Sequence, residues 1–158
     1  MIPESVSIAP PEWDWIAAYG IGGIAVVIAI AWVVLFSLGN GRRALVLSMI
    51  TFVVMAVSAF AALSGKLSRF DSFPPPMLVM VFSTFAMAYA FGFSRFGRDG
   101  ASQISFIALV GLQAFRLPLE LVMHHAGTVG IMPEELSFSG YNFDIVTGAG
   151  ALVIFILL

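Results

Sequence analysis

Four stretches of this chain are apolar for the length of a membrane crossing, and that single feature excludes most other folds. They run over Trp15 to Leu38, Ala44 to Leu63, Met77 to Phe93 and Ile104 to His124. A helix rising 1.5 Å per residue needs about 20 apolar residues to cross about 30 Å of hydrocarbon, so each stretch is read as a span. A fifth run, from Ile145 to Leu158, amounts to only about 21 Å of helix at that rise. The sequence predicts that Asp144 caps it and that it breaks off inside the bilayer, as in a shortened form of a longer protein. The expected fold class is therefore all-α: one polytopic transmembrane helix bundle over residues 1–158, with about five spans.

Composition agrees and removes several function classes. Of 158 residues 60% are hydrophobic and 10% charged, against about 25% charged in a soluble domain. With 7 Lys and Arg against 9 Asp and Glu, there is no basic surplus to neutralise a row of phosphates, so nucleic acid is not expected as a partner. Cysteine is absent, which removes disulfides, thiolate nucleophiles and Cys-ligated metal centres. The N-terminal MIPESVSIAPPEWDW carries Glu4, Glu12 and Asp14 without Lys or Arg. It lacks the positive start of a signal peptide, so the first run reads as a retained span.

Basic residues in short loops remain on the cytoplasmic side. Arg42, Arg43, Arg95 and Arg98 occupy the first and third connections, and Lys66 and Arg69 the second. The expected orientation thus places the N-terminus outside and has the fifth helix pointing inward. Trp13, Trp15 and Tyr19 would mark the outer interface, and Trp32 and Phe36 the inner one. Small-residue pairs such as Ala18 with Gly22 and Ala25 with Ala29 allow close helix contacts. Those contacts would lie within the chain, with other membrane subunits or in a homo-oligomer, and the lipid bilayer is the one partner the composition demands.

The fourth stretch breaks the apolar pattern. At 100° per residue Gln113, Arg116, Glu120 and His124 fall on one face, while His125 points elsewhere. An arginine at mid-helix costs about 2.5 to 3.5 kcal/mol even on the lenient insertion scale, so Arg116 is expected to face protein, with Glu120 one turn away as its partner. Pro118 has no amide for the Ala114 carbonyl and should disturb the helix there. Such a stripe serves either as an architectural ion pair or as a site for a proton, a small ligand or a lipid headgroup. Metal is the weaker alternative: Glu120 and His124 have the spacing of two ligands on one helix, and Glu134, Glu135 or Asp144 would have to complete the shell. No cofactor is expected. Haem would require a second chain, because adjacent histidines diverge by about 100°.

Between His125 and Asp144 the connection AGTVGIMPEELSFSGYNF is long and amphipathic. Pro133, Glu134 and Glu135 read as the first turn of a short helix. Its apolar residues, Tyr141 among them, make it an expected interfacial lid over the stripe, with Glu134, Glu135, Asn142 and Asp144 as its polar side.

FRLPLE at Phe115 to Glu120, His124 and SFSGYNFDIVTG at Ser137 to Gly148 are similar to shared segments of a family of uncharacterised bacterial inner-membrane proteins. The SGK at Ser64 to Lys66 and PPP at Pro74 to Pro76 also resemble it. The similarity covers roughly residues 60–150 and implies a polytopic fold in a bacterial inner (cytoplasmic) membrane, with further spans after the fifth. It implies no activity. Two function classes follow: a non-enzymatic membrane protein whose stripe binds a ligand, proton or lipid or stabilises an accessory subunit, and a metal-assisted membrane enzyme using Glu120 and His124.

Overall fold

A computed structural model describes residues 12–37, 39–68, 73–140 and 142–158. The expectations placed on residues 1–11, Leu38, Arg69 and Tyr141 lie outside the described residues. Every regular element among them is helical.

Four helices are long and apolar enough to cross a membrane: α1 (Trp15–Ser37), α2 (Gly41–Leu63), α3 (Pro76–Phe93) and a fourth continuous over Phe106–Thr128. A short helix, α4 (Arg95–Ala101), follows α3. The fourth long helix comprises α5 (Phe106–Leu112), a 3-10 turn at Gln113–Phe115 and α6 (Arg116–Thr128). The final helix, α7, is shorter, Asp144–Leu157.

Local chemistry sets these boundaries. Asp14 Oδ1 accepts from the Ala17 amide at 2.7 Å and so caps α1. Asn40 does the same for α2, accepting from Arg43 N at 3.1 Å. Pro76 occupies the first position of α3, where its missing amide hydrogen costs nothing. Ser94 closes α3 and opens α4, its hydroxyl accepting from Gly97 N at 2.9 Å. The tightening to 3-10 geometry at Gln113–Phe115 falls in the turn before Pro118, where the helix was expected to be disturbed. Several boundaries shift by a few residues from expectation, two of them with a local cause. The fourth long helix runs on to Thr128 and ends as Gly130 takes a φ of 76°, a backbone that glycine adopts without strain. Asp144 is the first residue of α7 rather than its cap, and Phe143 precedes it without a side-chain hydrogen bond.

The chain divides into two compact units, one of residues Met1–Ile28 with Phe106–Leu158, the other Ala29–Ser105. In the first, α7 packs along α5 and α6. A methyl group at Gly148 would lie 2.5 Å from the Leu117 nitrogen and 3.1 Å from Arg116 Cβ, so the helices approach as closely as backbone permits. Gly20 of α1 likewise faces the Val122 side chain of α6. In the second unit, the last turns of α1 join α3 and α4 through Trp32, Phe36, Phe91 and Phe96, with ring centroids 3.8 to 6.0 Å apart.

Candidate functional site

Arg116 is positioned by the glycine contact just described. Because Gly148 brings the N-terminal half of α7 against the start of α6, the Arg116 guanidinium reaches the first residue of α7. Its Nη1 lies 2.5 Å from Asp144 Oδ1. Arg116 Nε also donates to Gln113 Oε1 at 3.2 Å, and the guanidinium carbon stands 6.0 Å from the Phe115 ring centre. The partner of Arg116 is thus Asp144, not Glu120 as expected. The side chain leans toward the helix N-terminus, as side chains on a helix do, and the residue that meets it there comes from another helix.

Glu120 has turned to the loop. It is 1% exposed, the most enclosed charged residue described. Its Oε1 accepts a 2.5 Å hydrogen bond from Asn142 Nδ2. The same nitrogen donates to the Leu136 carbonyl at 3.1 Å, while Asn142 Oδ1 accepts from the Asp144 amide at 3.2 Å. One asparagine therefore ties the buried carboxylate, the loop and the start of α7 together. The Phe138 amide approaches the Glu120 carboxylate, yet no hydrogen bond closes on Oε2, which is buried and unpartnered among the described residues. Glu120 is also within electrostatic reach of both Asp144 and Arg116.

His124, one turn further along α6, faces the loop as well. Its Nδ1 shares a 3.3 Å hydrogen bond with Ser139 Oγ, and its ring lies 4.4 Å from that of Phe138. Ser139 continues to Ser137 Oγ at 2.7 Å, and Ser137, wholly buried, donates to the Glu134 carbonyl at 2.9 Å. The loop carries the expected one-turn helix, a 3-10 turn at Glu134–Leu136 with Pro133 before it. The side chains of Glu134 and Glu135 remain exposed on it.

Of the expected stripe, the structure thus sends each member to a different partner: Gln113 to Arg116, Arg116 to Asp144, Glu120 to Asn142 and His124 to Ser139. Asn142 and Asp144, expected as lid residues, join the site directly. Ser137 and Ser139 were not among the expected site residues. Short hydroxyl residues beside glycine read as turn formers, and only the pairing of the loop with α6 shows what they bond. Among the described residues no three His, Asp or Glu side chains gather as a metal shell.

His125, directed away from the stripe, brings its Nε2 to 3.2 Å from Asp14 Oδ2. The Ala17 amide, and after it His125, holds the Asp14 carboxyl below its ordinary pKa against the opposing effect of burial. Beside this pair a groove of about 380 Å³ opens between Trp13, Ala18 and Ile131.

Fold and site together define a helical membrane protein with a polar cluster where α6, α7 and their connecting loop meet. No family model, curated protein or solved structure matches the chain.

Proposed function

We propose that this membrane protein holds an exchangeable proton at Glu120 and that the proton governs how firmly the loop before α7 is held. One observation carries the reading: among the described residues, a carboxylate 1% exposed keeps one oxygen without a hydrogen bond, in a cluster where Glu120 and Asp144 face the cation Arg116. A buried charge without full compensation is costly, and a proton is the smallest ligand that removes the excess. Protonation also takes away the charge toward which Asn142 and the Phe138 amide are turned, so the loop loosens. Among the described residues, the elements packed against the carboxylate also carry His124 on α6 and the exposed Glu134 and Glu135 on the loop. Arg116, Glu120, Ser137, Asn142, Asp144 and Gly148 lie in the two segments that resemble the inner-membrane family, so the cluster coincides with that resemblance.

Difference infrared spectra of the protein in lipid, recorded across pH, should contain a carboxylic-acid C=O band that titrates and that is missing in Glu120→Gln. A carboxylate that stays ionised wherever the protein is folded would overturn the proposal and make Glu120 a fixed anchor for the loop.

A second reading rests on a separate observation. The Arg116 and Asp144 side chains remain 33% and 42% exposed, although Arg116 sits well inside a span. An ion pair facing lipid is unfavourable, so this edge is suited to a helix of an accessory subunit or to an aqueous cavity. The enzymatic alternative draws less support, since Glu120 and His124 are directed to different loop partners.

A further inference from the structure

In the unit of residues Ala29–Ser105, four arginines are carried by α2 and α4, and Phe96 of α4 belongs to the aromatic cluster. α4 buries Gly97 and Gly100 and exposes Arg95 and Arg98. The burial is tight: a methyl group at Gly100 would stand 2.8 Å from the Phe36 ring of α1, and one at Gly97 would strike the Phe91 backbone. The glycine face therefore fixes the direction of the arginine face. From the start of α2, Arg43 places its guanidinium 5.4 Å from the centre of the Phe96 ring on α4. That contact brings the Arg42 and Arg43 pair to the helix bearing Arg95 and Arg98, with Asp99 as the only acidic residue on α4. Arg42, Arg95 and Arg98 are all exposed, and none has an ion-pair partner within 4 Å among the described residues.

We propose that this surface binds the phosphodiester headgroup of an anionic phospholipid. The formal charge of the four arginines and Asp99 is strongly positive, and guanidinium groups offer paired donors that match phosphate oxygens. The patch lies where α1, α3 and α4 end or begin, at the level where a span meets lipid headgroups, and the aromatic rings beneath it are suited to that interface. Basic clusters next to spans are attracted to anionic lipid in this way. The built glycine face and the Arg43–Phe96 contact distinguish it from a solvated loop.

Trp32 belongs to the aromatic cluster, with its ring centroid 3.8 Å from that of Phe36 and 5.2 Å from that of Phe91, and so reports locally once Trp13 and Trp15 are replaced by Phe. The full chain carrying those two changes is reconstituted in phosphatidylcholine containing a tail-brominated phosphatidylglycerol or a tail-brominated phosphatidylcholine. Trp32 should be quenched with roughly ten-fold preference for the anionic lipid, a scale set by several basic residues acting together. The preference should vanish in the triple variant Arg42→Gln, Arg95→Gln, Arg98→Gln and persist when the same three become Lys. Equal quenching by both lipids in the parent, or a preference that survives the glutamine changes, would overturn the proposal. Loss of the preference on adding inorganic phosphate, at constant ionic strength, would assign the site to free phosphate and overturn the lipid. Should the glutamine variant not fold, the parent preference and the phosphate competition still decide.

Discussion

At the scale of single residues, Arg116 shows how far a charge can be placed from sequence and where that placing fails. Its presence inside a span says that it must avoid lipid, and the cost of a bare arginine there is enough to demand a partner. The partner itself was not legible. Glu120 is one turn away and satisfies the local rule for helix pairs, whereas Asp144 lies on another helix and becomes a neighbour only through the α6–α7 contact. The assignment is testable by a double-mutant cycle on folding stability. Arg116→Gln and Asp144→Asn, alone and together, should show a coupling of roughly 0.5 to 3 kcal/mol, toward the lower end because both side chains remain partly exposed. Additive losses would mean that the pair contributes nothing as a pair. Asn142 is a different case. The sequence placed it near the site as part of the lid, but gave no sign that its amide would serve Glu120, Leu136 and Asp144 at once, because a side chain's hydrogen bonds depend on loop geometry.

Among the elements, the long helices were legible because apolar length alone defines them, and their ends shifted by only a few residues. α4 was not. Its seven residues lie within a connection rich in Arg and Gly, a composition that reads as loop, and it is helical because Ser94 caps it, Gly97 fits against the Phe91 backbone and Gly100 against the Phe36 ring. Close approaches were also misplaced by sequence. Gly22, half of an expected small-residue pair, has open space beside it, whereas Gly20 and Gly148, not singled out, meet another helix. Spacing identifies small residues but not the direction each one faces in the bundle. Gly148→Ala therefore offers a sharp test of the α6–α7 contact. An added methyl must displace the Leu117 backbone, and overpacking of this kind typically costs about 1 to 3 kcal/mol. Thermal unfolding in detergent should register that loss, together with weaker Arg116–Asp144 coupling, while Gly22→Ala should leave both unchanged. Equal tolerance of the two changes would contradict the packing described.

For the whole molecule, the arginine distribution predicts an orientation: if Arg42, Arg43, Arg95 and Arg98 are cytoplasmic, the segment before Trp13 is expected outside. A cysteine introduced as Ser5→Cys, the chain having none of its own, should react with an impermeant reagent in intact spheroplasts. Labelling only after the membrane is opened would invert the topology. The pairing of Arg116 with Asp144 also has a consequence in time. During synthesis the segment from Phe106 to Thr128 reaches the membrane before α7 exists, and at roughly 5 to 20 residues per second its arginine waits on the order of seconds for its counter-charge. Throughout that interval only groups of its own helix are on hand to the guanidinium, Gln113 three positions earlier and Glu120 one turn later, the latter not yet held by Asn142. Insertion of this segment is consequently a provisional event, made final by the arrival of the next helix.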